Sequence, residues 1–411
     1  MLKKLLVIGV VWPEPKTTAA GVRILELLQR LKSNYQITFV STAQKTNYSF
    51  DLTTIGIQEQ SIELNNSSFD HFIKKLDPEM VMFDRFISEE QFGWRVDETC
   101  PKAVRILDTE DLHFLRKIRE VNYKKQVTIP PIWQNEDIAK REIASIYRCD
   151  LSLIISQFEM DFLINDAKID PHILCYVPFL RRPITKESFK NYPSFEQRNH
   201  FMTIGNFRHE PNWHSILHLK RVIWPELRLK YPKSELHIYG AHATEKQKSI
   251  DAPENGFHLK GWIPKTSEAF LPYKVCLAPL QFGAGLKGKI VDSFTFGTPV
   301  VTTSIGGEGI GEVASKNKFI TNSDTELIER AIELFENKTS WLEAQEYGRC
   351  IHNQLFDDKK HGTKLMNNLK NIHKNLDHHR SKNFLGKLLS FHTIRSTKYM
   401  AKWIEEKNKS K

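Results

Sequence analysis

The residues best suited to chemistry lie in one stretch, PLQFGAGLKGKIVDSFTFGTPVVTTSIGGEGIG, residues 279–311. A small-residue loop, Gly283-Ala284-Gly285, leads through Leu286 into Lys287-Gly288-Lys289. An apolar-patterned segment, Ile290 to Phe296, follows; Gly297-Thr298-Pro299 breaks it, and Val300-Val301-Thr302 reads as a buried strand. Small residues let backbone N–H groups approach a ligand closely, and a helix N-terminus adds partial positive charge. With two lysines, the pattern predicts an anion site suited to a diphosphate. Asp292 falls about one turn into the helix, where a carboxylate can accept hydrogen bonds from sugar hydroxyls.

Three further segments carry candidate groups. TIGNFRHEPNWHSI, residues 203–216, offers Gly205 for close backbone approach and Arg208 as a planar donor fork for phosphate. Leu107-Asp108-Thr109-Glu110-Asp111-Leu112-His113 ends a strand and is dense in groups that engage hydroxyls, although Asp108 and Asp111 equally suit capping of the next helix. Pro15 to Gly21 forms a loop ahead of a helix, with Gly21 near its start.

The segment FGAGLKGKIVDSFTFGTPVVTTSIGGEGI resembles the nucleotide-sugar-binding signature of glycosyltransferase family 4, the retaining enzymes of the GT-B fold. The likeness runs from the first strand to about residue 370. It implies an α/β chain of two doubly wound, Rossmann-like domains facing a central cleft. It further implies that Lys287 and Arg208, with Lys289, clamp the donor diphosphate, that Asp292 holds the ribose and that His113 faces the donor sugar. Gly21 and Gly205 would approach the diphosphate from opposite sides. The nucleobase would lie at Tyr239-Gly240 and the Gly261-Trp262-Ile263 turn. One departure matters: many family members carry two glutamates eight positions apart, and here Ala284 stands at the first position while Asp292 fills the second. The resemblance then leaves the donor-sugar contact to the N–H groups of Gly285 and Leu286. Sugar transfer with retention to a hydroxyl acceptor is the implied activity. Alternatives are a sugar-nucleotide epimerase on the same fold and, given Ala284, a non-catalytic sugar-nucleotide-binding or scaffolding subunit.

Positioning such a site requires two sheets, and 411 residues suffice for two domains. Strand-like runs at Leu5–Val11, Gln36–Ser41, Met80–Phe83, Ala103–Leu107, Leu151–Ser156 and Ile173–Val177 alternate with helical patterns such as Ile24, Leu27, Leu28 and Leu31. A polar, proline-bearing linker over 181–200 separates an N-terminal domain, 1–180, from a second domain, 201–356. In the latter, runs occur at Phe201–Ile204, Leu236–Tyr239, Phe257–Lys260, Val275–Ala278, Pro299–Thr303 and Asn317–Ile320. Ser323-x-x-Glu326 reads as a capping box opening a helix. The turn after the first run, Val10 to Pro15, lacks G-x-G-x-x-G, which argues against a nicotinamide cofactor.

Charge is uneven. Of the net +10, nine units fall in residues 357–411, which hold fourteen Lys and Arg against five Asp and Glu. A nucleic-acid partner is not expected, because the balanced body shows no basic clusters interleaved with aromatics. The tail from Ser381 to Lys411 mixes Phe384, Leu388, Phe391, Met400 and Trp403 with lysines, which suits either an anionic membrane surface or packing against the first domain. The start, MLKKLLVIGVVW, imitates a signal peptide but reads as a first strand. Five scattered cysteines point to reduced thiols and a cytoplasmic protein, peripheral on the inner face of the membrane if the tail docks there. No metal or cofactor is expected; His361, His373, His378 and His379 lack carboxylate partners at ligand spacing. The expected partners are a nucleotide-sugar donor and a saccharide or lipid-linked acceptor.

Overall fold

The computed structural model describes residues 2–126, 132–310 and 319–409, with the side chains of 393–395 excepted. Two parallel sheets organise them. The first contains β1 (Lys3–Gly9), β2 (Tyr35–Ser41), β3 (Gln58–Ser61), β4 (Met80–Asp84), β5 (Val104–Asp108), β6 (Leu151–Ile154) and β7 (Leu174–Tyr176), in spatial order 3-2-1-4-5-6-7. The second contains β8 (Asn199–Ile204), β9 (Leu236–Tyr239), β10 (Phe257–Gly261), β11 (Tyr273–Ala278), β12 (Val300–Thr303) and β13 (Ile320–Thr321), in order 10-9-8-11-12-13.

Central strands of such sheets are covered by helices on both faces, so their sequences are continuous apolar runs. In β1, Leu5, Leu6, Val7 and Ile8 are all buried, and they divide between two clusters. Leu5 and Val7 pack with Ile24, Leu27, Leu28 and Leu31 of the helix Ala19–Leu31; Leu6 and Ile8 pack with Phe69, Phe92 and Phe114. In the second domain, Met202 and Cys276 face Ile290 and Phe294, while Phe201 and Val275 face Trp224 and Leu334. Each sheet switches direction beside its first strand, so crevices open at the C-terminal ends of β1 and β4 and of β8 and β11.

The expected runs coincide with strands to within a few residues, and the doubly wound architecture is as expected. β3 was missed because its sequence, QEQS, is a polar, largely exposed edge. Asn317 and Lys318 of the expected last strand, and Gly311 of the signature, lie outside the described residues. Ser323 caps the helix Asp324–Glu336 by accepting from Glu326 N, but the return bond to the Glu326 carboxylate comes from Asn322 N.

The chain between β7 and β8 is more structured than its polarity suggests. It carries the short helix Lys186–Lys190, and Arg198 is buried, donating to Thr298 Oγ1 at 2.6 Å and to the carbonyls of Pro193 and Phe296 at 3.0 Å. After the second domain the chain crosses back beside its outward path: Arg181 N donates to Phe356 O and Asp358 N to Arg181 O. The helix Asp358–Lys374 then contributes Leu365, Leu369 and Ile372 to the core of the first domain. The tail helix, Phe384–Lys409, also lies on that domain: Glu405 accepts from Ser67 N at 2.9 Å, Lys398 pairs with Glu98, and Asn383 Nδ2 donates to Tyr147 O at 2.8 Å.

Candidate active site

Two helices begin face to face across the cleft. Thr18 caps Ala19–Leu31, its hydroxyl accepting from Gly21 N at 2.9 Å. Lys287 occupies the N-cap of Gly288–Thr295, with no side-chain cap. A Cβ placed on Gly288 would lie 2.9 Å from Ala19 Cβ, and one on Gly21 would strike the Glu14 backbone at 2.4 Å, so both glycines are fixed by close approach. Each helix start directs unpaired N–H groups and partial positive charge toward the gap.

The cations divide into paired and free. Lys287 Nζ donates to Gly285 O at 2.7 Å and lies 3.9 Å from Glu308. Lys289, half-buried one residue into the helix, has no hydrogen-bond or ion-pair partner among the described residues, and burial lowers its ammonium to about 8. Arg208 is exposed, its guanidinium likewise without a partner among them. Its neighbour His209 is brought near Arg116, Asp111, Lys289 and Lys287, and is lowered to about 4 by loss of solvation and by those cations.

Gly285 has φ +64°, and a Cβ there would meet Asp111 Cβ at 2.8 Å, so the loop of one domain presses on the other. Its N–H, expected to face the donor sugar, donates to Glu159 Oε1 at 2.9 Å; that oxygen also accepts from Leu112 N at 2.9 Å. Leu286 turns its side chain into the core beside Ile290. Asp292 points across to Arg181, 3.4 Å away, which also holds Glu26 at 3.0 Å. Burial raises Asp292 against the pull of Arg181, and burial also brings Glu26 to about 7. Gly205 sits where a Cβ would strike Asn212 at 2.5 Å.

On the first-domain side, His113 opens the helix His113–Lys125 and lies 3.3 Å from Asp111 Oδ1 and edge-on to Phe86. Burial depresses it to about 4, so it is a neutral imidazole able both to donate and to accept. The carboxylates beside it do not cap as the sequence suggested. The N–H groups of Leu112, His113 and Phe114 are taken by Glu159 and Glu142, both fully buried and supplied by other helices. Burial raises these two acids, to about 7 and about 8. Asp108 is bound instead by Arg23, at 2.7 and 3.1 Å, and Asp111 by Arg116. Burial alone would raise Asp111, but Arg116, His113 and His209 outweigh it and hold it at about 2.

Several contacts at the site add to the sequence reading. Arg119, from the helix that His113 opens, forms a fork with Glu308 at 2.7 Å through both nitrogens and donates to Gly283 O at 2.7 Å. Trp262 Nε1 donates to Lys16 O at 3.0 Å and packs edge-on against Tyr48, while Asn206 Nδ2 reaches Thr17 O at 3.4 Å. Glu110 is buried with φ +62° and leaves Oε1 without a partner among the described residues; burial and the Asp108 charge push its carboxyl well up. Backbone strain with an unsatisfied buried acid is a pairing that collects at functional sites. The contacts of Arg119, Trp262 and Asn206 are not legible in sequence, because each depends on how the two domains meet.

A cleft at the carboxyl ends of two facing Rossmann-like sheets, with helix N-termini and a free lysine on one wall, defines the GT-B class. Residues 198–337, within the second domain, match the family described as Glycosyl transferases group 1. Solved structures agree on the fold. Sucrose-phosphate synthase from Thermosynechococcus elongatus is 13% identical with a TM-score of 0.67, covering 90% of this chain and 99% of that one. Anabaena HepE in complex with UDP is 12% identical, with a TM-score of 0.65 over 90% and 100%. S. aureus TarM, solved with UDP and α-GlcNAc-glycerol, is 10% identical with a TM-score of 0.65 over 90% and 99%. Among curated proteins no sequence matches this chain.

Proposed function

We propose that the protein transfers a sugar from a nucleotide diphosphate sugar to a hydroxyl acceptor with retention of anomeric configuration. The observation that carries this reading is the facing pair of helix starts at Ala19 and Gly288 with the unpaired ammonium of Lys289 beside them. As the glycosidic bond breaks, negative charge grows on the leaving diphosphate. N–H groups and a lysine already in place stabilise it without reorganisation. Arg208 joins from the loop after β8, and Lys287 holds the loop through Gly285 O. Neutral His113 orients the sugar, and Asp292 serves the ribose once Arg181 releases it. Domain closure keeps water out, favouring transfer over hydrolysis.

The acceptor is a saccharide or lipid-linked saccharide, as in assembly of a surface glycan. The tail helix leaves Phe384, Leu388, Met400 and Trp403 exposed beside Lys387, Lys402 and Lys407, a surface suited to anionic lipid from the cytoplasmic side. No described helix is long and apolar enough to cross a membrane.

The test is incubation of purified protein with UDP-, GDP-, ADP- and dTDP-sugars, scored by mass spectrometry for free nucleotide diphosphate. Release from one donor, abolished in Lys289→Ala, is the expected result. No release and no thermal stabilisation by any donor would overturn it in favour of the non-catalytic reading that Ala284 suggests.

A further inference from the structure

At the other end of the second sheet, away from the cleft, Glu235, His237 and His258 converge. Side chains two residues apart on an extended strand share a face, so Glu235 and His237 project together. The register of β9 and β10 sets His258 directly beside His237. Glu235 Oε2 lies 2.6 Å from His237 Nε2 and 3.7 Å from His258 Nε2, and ligand atoms of all three fall within 4.8 Å of one another.

We propose that these three residues form a binding site for a divalent transition metal of the zinc class. Two imidazoles and one carboxylate are a donor set suited to zinc, with the fourth tetrahedral position left to water; calcium and magnesium prefer all-oxygen shells. Bonds of about 2.0–2.2 Å place tetrahedral ligand atoms roughly 3.4 Å apart, a spacing reached here by small side-chain rotations. His237 Nδ1 lies 2.6 Å from the Tyr273 hydroxyl, itself 2.6 Å from that of Tyr239. A phenol that accepts from Nδ1–H leaves the Nε2 lone pair facing Glu235, the outer-shell support that metal-bound histidines ordinarily have. Entry is open, since the Glu235 side chain is 37% exposed and that of His258 21%.

Lys260 flanks the cluster and opposes a dication electrostatically, so the direct ligand bonds must outweigh it. A bound ion would tie the edge strand β10 to the start of β9, a structural role apart from the reaction. Such a site is hard to read in sequence because its third ligand lies twenty-one residues beyond His237.

The test is calorimetric titration of the chelator-treated full chain with zinc chloride, repeated with cobalt to read the visible absorption of a tetrahedral site. One equivalent should bind and raise the melting temperature. Affinity should fall at least tenfold in both Glu235→Gln and His258→Gln, which lie on accessible side chains, and remain unchanged in His373→Gln. His237→Ala is the weaker variant, because His237 packs against Tyr273. Absence of saturable binding overturns the proposal, as does binding that either glutamine variant leaves at full strength.

Discussion

The two walls of the cleft solve the same electrostatic problem differently. On the first-domain wall the buried Arg23 has its anion: it holds Asp108, with side-chain exposures of 1% and 0%. On the second-domain wall Lys289 is half-buried yet unpartnered among the described residues, and Arg208 is likewise free among them. A charge taken from water without a partner costs several kcal/mol unless a ligand supplies the partner. The buried cation of the first wall is therefore satisfied as folded, and that of the second is satisfied only with an anion bound. Disrupting the first should damage the fold, and disrupting the second should damage function at no cost in stability.

The largest effect is expected from Arg23→Ala. It strands Asp108 and removes donors from the Val177 carbonyl, so it should cost about 3–5 kcal/mol in urea denaturation. A variant as stable as the parent would erase the distinction between the walls.

Lys289→Ala tests the other side. Steady-state release of nucleotide diphosphate should fall by about 10²–10³ in kcat/KM, the scale for losing one preorganised charge-stabilising donor. Its melting temperature should stay level or rise, because an uncompensated charge is gone. A substantial drop in melting temperature would place Lys289 among the structural cations. The same lysine sets a pH dependence. With its ammonium at about 8 instead of the ordinary 10.5, it is charged below that value and neutral above it, so kcat/KM should decline as pH rises through about 8. Lys289→Arg should carry that alkaline limb out of range.

A smaller effect belongs to Arg119, which joins the walls. Loss of its fork to Glu308 should weaken donor binding severalfold, with kcat less changed, and should increase the radius of gyration measured by small-angle scattering without donor. An unchanged radius would mean that Glu159 and the Lys16–Trp262 contact hold the domains together unaided.

The contrast also explains what the sequence disclosed. Buried parallel strands are long apolar runs, so β1, β4, β9 and β11 stand out, as does the loop around Lys287, whose glycines and lysines are contiguous. β3 is concealed by its polar edge position. Glu142 and Glu159 reach the His113 helix from helices that begin more than twenty residues downstream, and the Arg119–Glu308 fork spans 189 residues. Local pattern identifies the elements and the ligand loop; it carries no record of which distant acid ends beneath which helix. The tail was open between membrane and first domain, and its helix lies on that domain, leaving only its outer side for lipid.

The two crossings between the domains have a mechanical consequence. Arg181 and Asp357 run side by side and are stitched by backbone bonds to Phe356 and Asp358, so the halves are joined by a doubled strap in place of a single swivel. A doubled strap resists twisting and sliding but permits bending, which confines the relative motion to rotation about one axis. Each cycle of opening and closing then returns the walls to the same alignment, and accuracy at the far side of the cleft comes from the connection behind it.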